Sequence, residues 1–215
     1  MKLKTFYTKH KYQLISLFSH INFIIWFAWW MIPAGWIFNN VVNYLYLHRV
    51  YTHKHYKFRS SIDETFQFLS CMLNLSSPNV YAAVHMKHHK YSDTEKDPHS
   101  PLFHPWWKML LSFWGPEFLP DRRAFATYKC RWYKYHIHIA WMTALLFPWI
   151  IVVAHWMSKI VIIMVHKDGK PIDVPWLNLI TWGEEMHKHH HEKNKHNDFL
   201  GWIGERIQAI SMDKH

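Results

Sequence analysis

From Tyr12 to His48 the chain contains no lysine, arginine, aspartate or glutamate. At about 1.5 Å per residue this uncharged run reaches about 55 Å, nearly two crossings of a hydrocarbon core about 30 Å thick. Cysteine is also scarce. The two present, Cys71 and Cys130, match neither a zinc spacing nor a disulfide framework, which fits a reducing compartment. No nucleic-acid-binding signature occurs, so the basic charge is not read as a sign of nucleic acid. No haem, flavin or iron–sulfur motif is encoded. The first apolar segment is too long for a cleavable signal peptide and no small-residue cleavage site follows it. No lipidation or retention motif stands out.

What is present is unusual. Half of the 215 residues are hydrophobic and 18% are aromatic, including 14 tryptophans, yet the mean hydropathy is only −0.22. Apolar spans must therefore sit beside segments rich in histidine and lysine. There are 20 histidines, and lysine plus arginine exceed the acids by 25 to 15, a formal charge of +10. Histidine-rich tracts read first as metal sites. A positive surface suits an anionic membrane face or an acidic partner.

Pro33-Ala34-Gly35 interrupts the uncharged run, so a turn is expected there between membrane helices at about 13–32 and 35–52. Lysines before the first helix, and Arg49, Lys54, Lys57 and Arg59 after the second, place both ends on the cytoplasmic side. Residues 62–84 read as a helix under or beside the membrane, broken at Asn74, Ser76, Ser77 and Pro78. Residues 102–135 mix Trp, Phe, Lys and Arg, as an interface does. Residues 135–165 are too many for one straight span and too few for two. If the histidines on either side share a site, this run must be a shortened hairpin or a re-entrant pair. A clear turn follows at 167–171, and the polar tail carries an amphipathic stretch around Trp202, Ile203, Ile207 and Ile210. The expected architecture is an all-α integral membrane protein with one domain, 1–215. It comprises a transmembrane hairpin at about 13–52, a cytoplasmic cap at about 53–134, a shortened hairpin at about 135–165, and a histidine box and tail at 166–215.

The histidines are spaced with purpose. His85, His88 and His89 stand at i, i+3 and i+4, and His187, His190 and His191 repeat the pattern. On a helix these positions share a face, so each triplet is expected to point one way, as two halves of a metal cage. His48 and His53 are five residues apart, about 500° around an α-helix, so they share a site only if the helix ends or bends. Eight imidazoles exceed what one zinc takes and suit two metals with open positions. Asp93, Glu95, Asp97, Glu184 and Glu185 lie close enough in sequence to orient ligand rings by hydrogen bonds. A solvated charge balancing the lysines is an equal reading of any one of them.

These motifs resemble the membrane fatty acid desaturase family, in its acyl-CoA (stearoyl-CoA type) branch. The likeness rests on His48-Arg49-x-x-x-His53, on Ser77-Pro78-x-x-x-Ala82-x-x-His85-x-x-His88-His89, on Asp93-Thr94 and Asp97-Pro98-His99-Ser100-Pro101, and on Gly183-Glu184-x-x-His187-x-x-His190-His191. It covers roughly residues 35–202. The resemblance implies a non-haem di-iron enzyme that uses O2 and two electrons to desaturate a long acyl chain. Those eight motif histidines would be the iron ligands, and His166, followed by Gly169 and Pro171, matches a ninth. Asp93, Asp97 and Glu184 are the acids expected to hold ligand rings in place. Two departures stand out: Ile162 replaces the family's asparagine, and the chain is short between Tyr135 and Val165. The resemblance also implies a multi-pass membrane protein, with its N-terminus and histidine boxes facing the cytoplasm, in a bacterial inner membrane or endoplasmic reticulum. The substrate would be carried on CoA, acyl carrier protein or lipid. Electrons would come from a ferredoxin or cytochrome b5 steered by the positive surface. The alternatives are a di-iron hydroxylase or ketolase of a lipid, and a non-enzymatic membrane metal-binding protein.

Overall fold

Two helical runs carry the apolar sequence from a cluster of aromatic turns to the histidines. The computed structural model describes residues 3–73, 77–98, 100, 103, 122–168, 170–183, 187, 188, 191 and 198–212. In chain order these form α1 (Leu3–Ile25), α2 (Met31–Asn39), a π-helical segment (Asn40–Thr52), α3 (Ser60–Leu73), α4 (Pro78–Tyr91), α5 (Arg122–Thr127), α6 (His136–Leu146), α7 (Pro148–Met164), the two-residue strands β1 (His166–Lys167) and β2 (Lys170–Pro171), α8 (Asn178–Thr181) and α9 (Phe199–Met212). The strands pair antiparallel, His166 opposite Pro171. The architecture is helical, as expected.

The first turn is not where the sequence put it. The helix breaks at 26–30, where the Met31 amide bonds to the Ala28 carbonyl at 2.9 Å, and Pro33, Ala34 and Gly35 lie inside α2. Proline is tolerated in a first helical turn, because its missing N–H would have had no partner there. Gly35 serves packing: a Cβ on it would lie 2.7 Å from Val153 Cβ on α7. The glycine lets the two backbones approach, which a turn-based reading of Pro-Ala-Gly does not anticipate. The break before α4 falls as read, with Ser77 extended at φ −68° and ψ 153° and Pro78 opening the helix.

The π-helical segment is the hub. From Val42 to Thr52 every residue is buried. Tyr44 and Leu45 pack with Val161, Val165, Leu177 and Leu200, while Tyr46, Leu47, Val50 and Tyr51 pack with Phe58 and Ala82. An element surrounded on all sides has no face left for solvated charge, which accounts for the last part of the uncharged run, 42–48. A separate cluster of Ile15, Ala140, Ala144 and Ile151 joins α1, α6 and α7.

The run at 135–165 turns back. It is bent by 103° between residues 133–146 and 148–164. Phe147 is non-helical at φ −136° and ψ 52°, and Pro148 starts α7, since a residue before proline is disfavoured in the helical region. Trp30 and Trp149 meet with ring centroids 5.8 Å apart, so both turns share one end of the molecule. α2 with its π-helical continuation, and α7, run from that end to the histidines. No single helix among the described residues is long and apolar enough to cross a membrane; the bent pair passes that test only when taken together.

Candidate metal centre

His48 and His53 lie on one face because the helix between them is wound wider than an α-helix. The His53 amide bonds to the His48 carbonyl at 3.0 Å, an i→i+5 bond, and the two rings stand 4.9 Å apart. Five residues close one π-turn, so no bend or helix end is needed. That corrects the condition set from the sequence. With His85 and His89 they form a four-imidazole group. Nε2 of His85 lies 3.0 Å from Nε2 of both His53 and His89.

The triplet on α4 does not act as a unit. His85 and His89 serve this first group, whereas His88 joins His166, His187 and His191 in a second. Helix geometry explains the split: i+3 falls about 60° to one side of residue i and i+4 about 40° to the other. One helix thereby feeds two adjacent centres. Within each group the ligand atoms lie within 4.8 Å of one another. The rings of His89 and His191, one from each group, stack 4.3 Å apart. His166 comes from β1, at the end of the bent apolar run, and its ring lies 4.7 Å from that of His187. His190 and Glu184 lie outside the described residues.

Hydrogen bonds from outside the groups aim the rings. Nδ1 of His88 meets Oδ1 of Asp97 at 2.8 Å, and both residues are fully buried. The other oxygen of Asp97 accepts the Asp93 amide at 2.7 Å. The Asp93 carboxylate accepts the Ser100 hydroxyl at 3.2 Å, so Asp93 supports the loop that presents Asp97. His166 meets the Ile162 carbonyl through Nδ1 at 2.9 Å. The backbone of residue 162 thus orients the ring even though its side chain is not asparagine. This leaves Nε2 of His166 buried and without a hydrogen-bond partner among the described residues, as a metal ligand would be.

Burial, and then the repulsion of neighbouring imidazoles, holds His89 down at about 2 and His191 at about 3, and His85 and His187 well below the usual histidine range. Burial also lowers His166. These rings are neutral near pH 7 and offer lone pairs without competition from protons. Among the described residues the donor set in both groups is nitrogen only. That suits first-row transition metals and does not suit calcium or magnesium, which take oxygen.

A clasp whose partner, Asp198, lies outside the motifs joins the first box to the segment after the last. The fully buried Arg49, beside His48, pairs with Asp198 at 2.5 Å. Gly183 packs against both: at φ +138° its Cβ would collide with the Asp198 carboxylate and lie 2.7 Å from Arg49 Nη2. Only glycine fits such a conformation and such a gap. Asp198 also accepts the Gly201 amide at 2.8 Å, near the start of α9. Tyr81, one turn before His85, stacks flat on its ring at 5.7 Å.

No family model matches the chain. Among curated proteins it is similar to a hex-5-enoyl-[acyl-carrier protein] acetylenase of Moorena producens, 28% identical over 66% of this chain and 42% of that protein. It is similar as well to an acyl-CoA C20 Delta5-desaturase of Anemone leveillei, 23% identical over 82% of this chain and 64% of the relative. A Delta-9 desaturase-like 2 protein of Arabidopsis thaliana is 24% identical over 67% and 58% respectively. These similarities support a fatty acid desaturase family for the chain. The chain spans about two fifths to two thirds of the length of these relatives. Their names span acyl-carrier-protein and acyl-CoA types, so the stearoyl-CoA type is not singled out.

Proposed function

We propose that the chain is an O2-dependent fatty acyl desaturase holding two irons. One observation carries this reading: two four-imidazole groups lie side by side, fed by one helix. His48, His53, His85 and His89 would hold one metal, and His88, His166, His187 and His191 the other, with His190 as a ninth ligand from the last box. When bound, such a pair supplies the oxidising power to break an unactivated C–H bond, which no acid or base side chain can do near neutral pH. The protein's own part is positioning. Asp97 and the Ile162 carbonyl fix ring orientation, and the Arg49–Asp198 clasp seats the last box. The apolar packing around the π-helical segment keeps water from the buried rings. The relatives' names support an acyl substrate on CoA, carrier protein or lipid, and we take the acyl chain to be long. The +10 charge suits an acidic electron donor such as a ferredoxin or cytochrome b5.

The same reading seats the molecule in a membrane. Exposed Ile24, Ile25, Trp26, Phe27, Trp29, Trp30 and Ile32 surround one aromatic turn, and Leu145, Leu146 and Phe147 surround the other. An exposed patch of this size, with no charge in its sequence and Trp at its tip, matches lipid contact. The histidines would then lie on the lysine-rich, cytoplasmic side.

Expression in a host, with its lipids read by mass spectrometry, tests the reaction: a new double bond supports it and a new hydroxyl or ketone points to the sister chemistry. The isolated protein should hold about two irons per chain, and protein made in ample iron that holds none would overturn the proposal. His88→Ala should abolish product while leaving iron in the first group.

A further inference from the structure

The two cysteines, unpaired by any sequence pattern, meet in the fold. Cys71 is fully buried on α3, and Cys130 is partly exposed in the stretch leading to α6; both are free thiols. The face of α3 carrying Cys71 is docked on that stretch by independent contacts. Gln67 accepts the Arg131 amide at 3.0 Å, the Trp132 indole donates to the Glu64 carbonyl at 3.2 Å, and the Phe68 and Trp132 rings stand 5.1 Å apart. Residues 64, 67, 68 and 71 follow helical spacing, so they form one face. There the Cys71 thiol is the neighbour that bears most on the Cys130 sulfur, with the Trp132 and Tyr133 amides beside it.

We propose that Cys71 and Cys130 are an oxidisable dithiol that hydrogen peroxide closes to an intramolecular disulfide. Cys130 is the attacking sulfur. The Cys71 thiol and then the two amides stabilise its thiolate and hold it below the usual thiol range despite burial. Cys71, its thiol pushed up by Cys130 and by burial, is the resolving partner. The Cys130 thiolate attacks the O–O bond of the peroxide and becomes a sulfenic acid, and water leaves. The Cys71 sulfur then displaces the hydroxyl, which departs as a second water with the thiol proton. Two thiols lose two electrons in total, and one peroxide is reduced to two waters. The disulfide would staple α3 to the 128–132 stretch, whose Tyr128 hydroxyl donates to the Thr52 carbonyl at 3.1 Å, next to His53. The pair is separate from the histidine groups, and its test does not depend on the desaturase reading.

The full chain, reduced and freed of reductant, is treated with hydrogen peroxide, unfolded in maleimide and weighed intact. Without peroxide it should carry two maleimides. With peroxide it should carry none, be lighter by two hydrogen atoms and remain a monomer on a non-reducing gel. The peroxide-treated chain should also melt at a higher temperature, and Cys130→Ser should lose that rise. Cys71→Ala, lacking the resolving thiol, should over-oxidise at Cys130. Two maleimides on the peroxide-treated wild type, disulfide-linked dimers only, or over-oxidation of the wild type matching Cys71→Ala would overturn the proposal.

Discussion

Asp97 shows how much one side chain can decide. Fully buried, it accepts from the ring of His88 and from the Asp93 amide, so His88 is held with Nε2 turned to the second group. Asp97→Asn removes the charge and one acceptor lone pair from that contact. We expect metal affinity at the second group to fall roughly 10- to 100-fold, as for other outer hydrogen-bond partners of ligating histidines, measured by chelator competition. The depressed histidines carry a pH consequence. In the metal-free chain His89 and His191 stay neutral when folded and gain protons near pH 6.5 when unfolded. The unfolded state therefore binds more protons below about pH 6.5, and folding stability falls as pH drops through that value. Melting temperatures of metal-free protein should be flat above about pH 7.5 and decline below about pH 6.5. A decline with rising pH instead would contradict the burial of these rings.

At the scale of elements, α2 and α7 meet through Gly35 and Val153. Gly35→Ala places a methyl group against Val153 and should cost about 1–3 kcal/mol by overpacking. Val153→Ala in the same chain should recover much of that loss, because it removes the colliding atoms. Denaturant melts of the two single variants and the double variant check the coupling; additive losses would show that the helices do not touch there. The π-winding of 40–52 also acts at this scale. It turns an i, i+5 pair that α-geometry sets apart into neighbours on one face.

The whole molecule closes its site by bringing the C-terminal segments onto the hub. Arg49 is buried against Asp198, and Leu200 of α9 packs with Tyr44 and Leu45. Arg49→Met leaves a carboxylate nearly buried without its cation, which should cost on the order of 3–5 kcal/mol. Because Gly183 leans on the same pair, metal should be lost from the second group before the first. Site-resolved metal loss during chelation would show the order, and simultaneous loss would argue against the clasp.

The sequence alone determined which donor atoms are gathered. Spacing and number marked His48, His53, His85, His88, His89, His187 and His191, and Asp97 lay close enough to orient a ring, because i, i+3 and i+4 relations are local. The helical architecture was legible for the same reason. Which histidine joins which group was not. His85 and His88 part company, His166 joins from the end of a run bent by 103°, and Arg49 finds a partner 149 residues away. Those choices depend on how helices cross and where a π-turn or a proline redirects them. They are made by packing between distant segments, which no local pattern records.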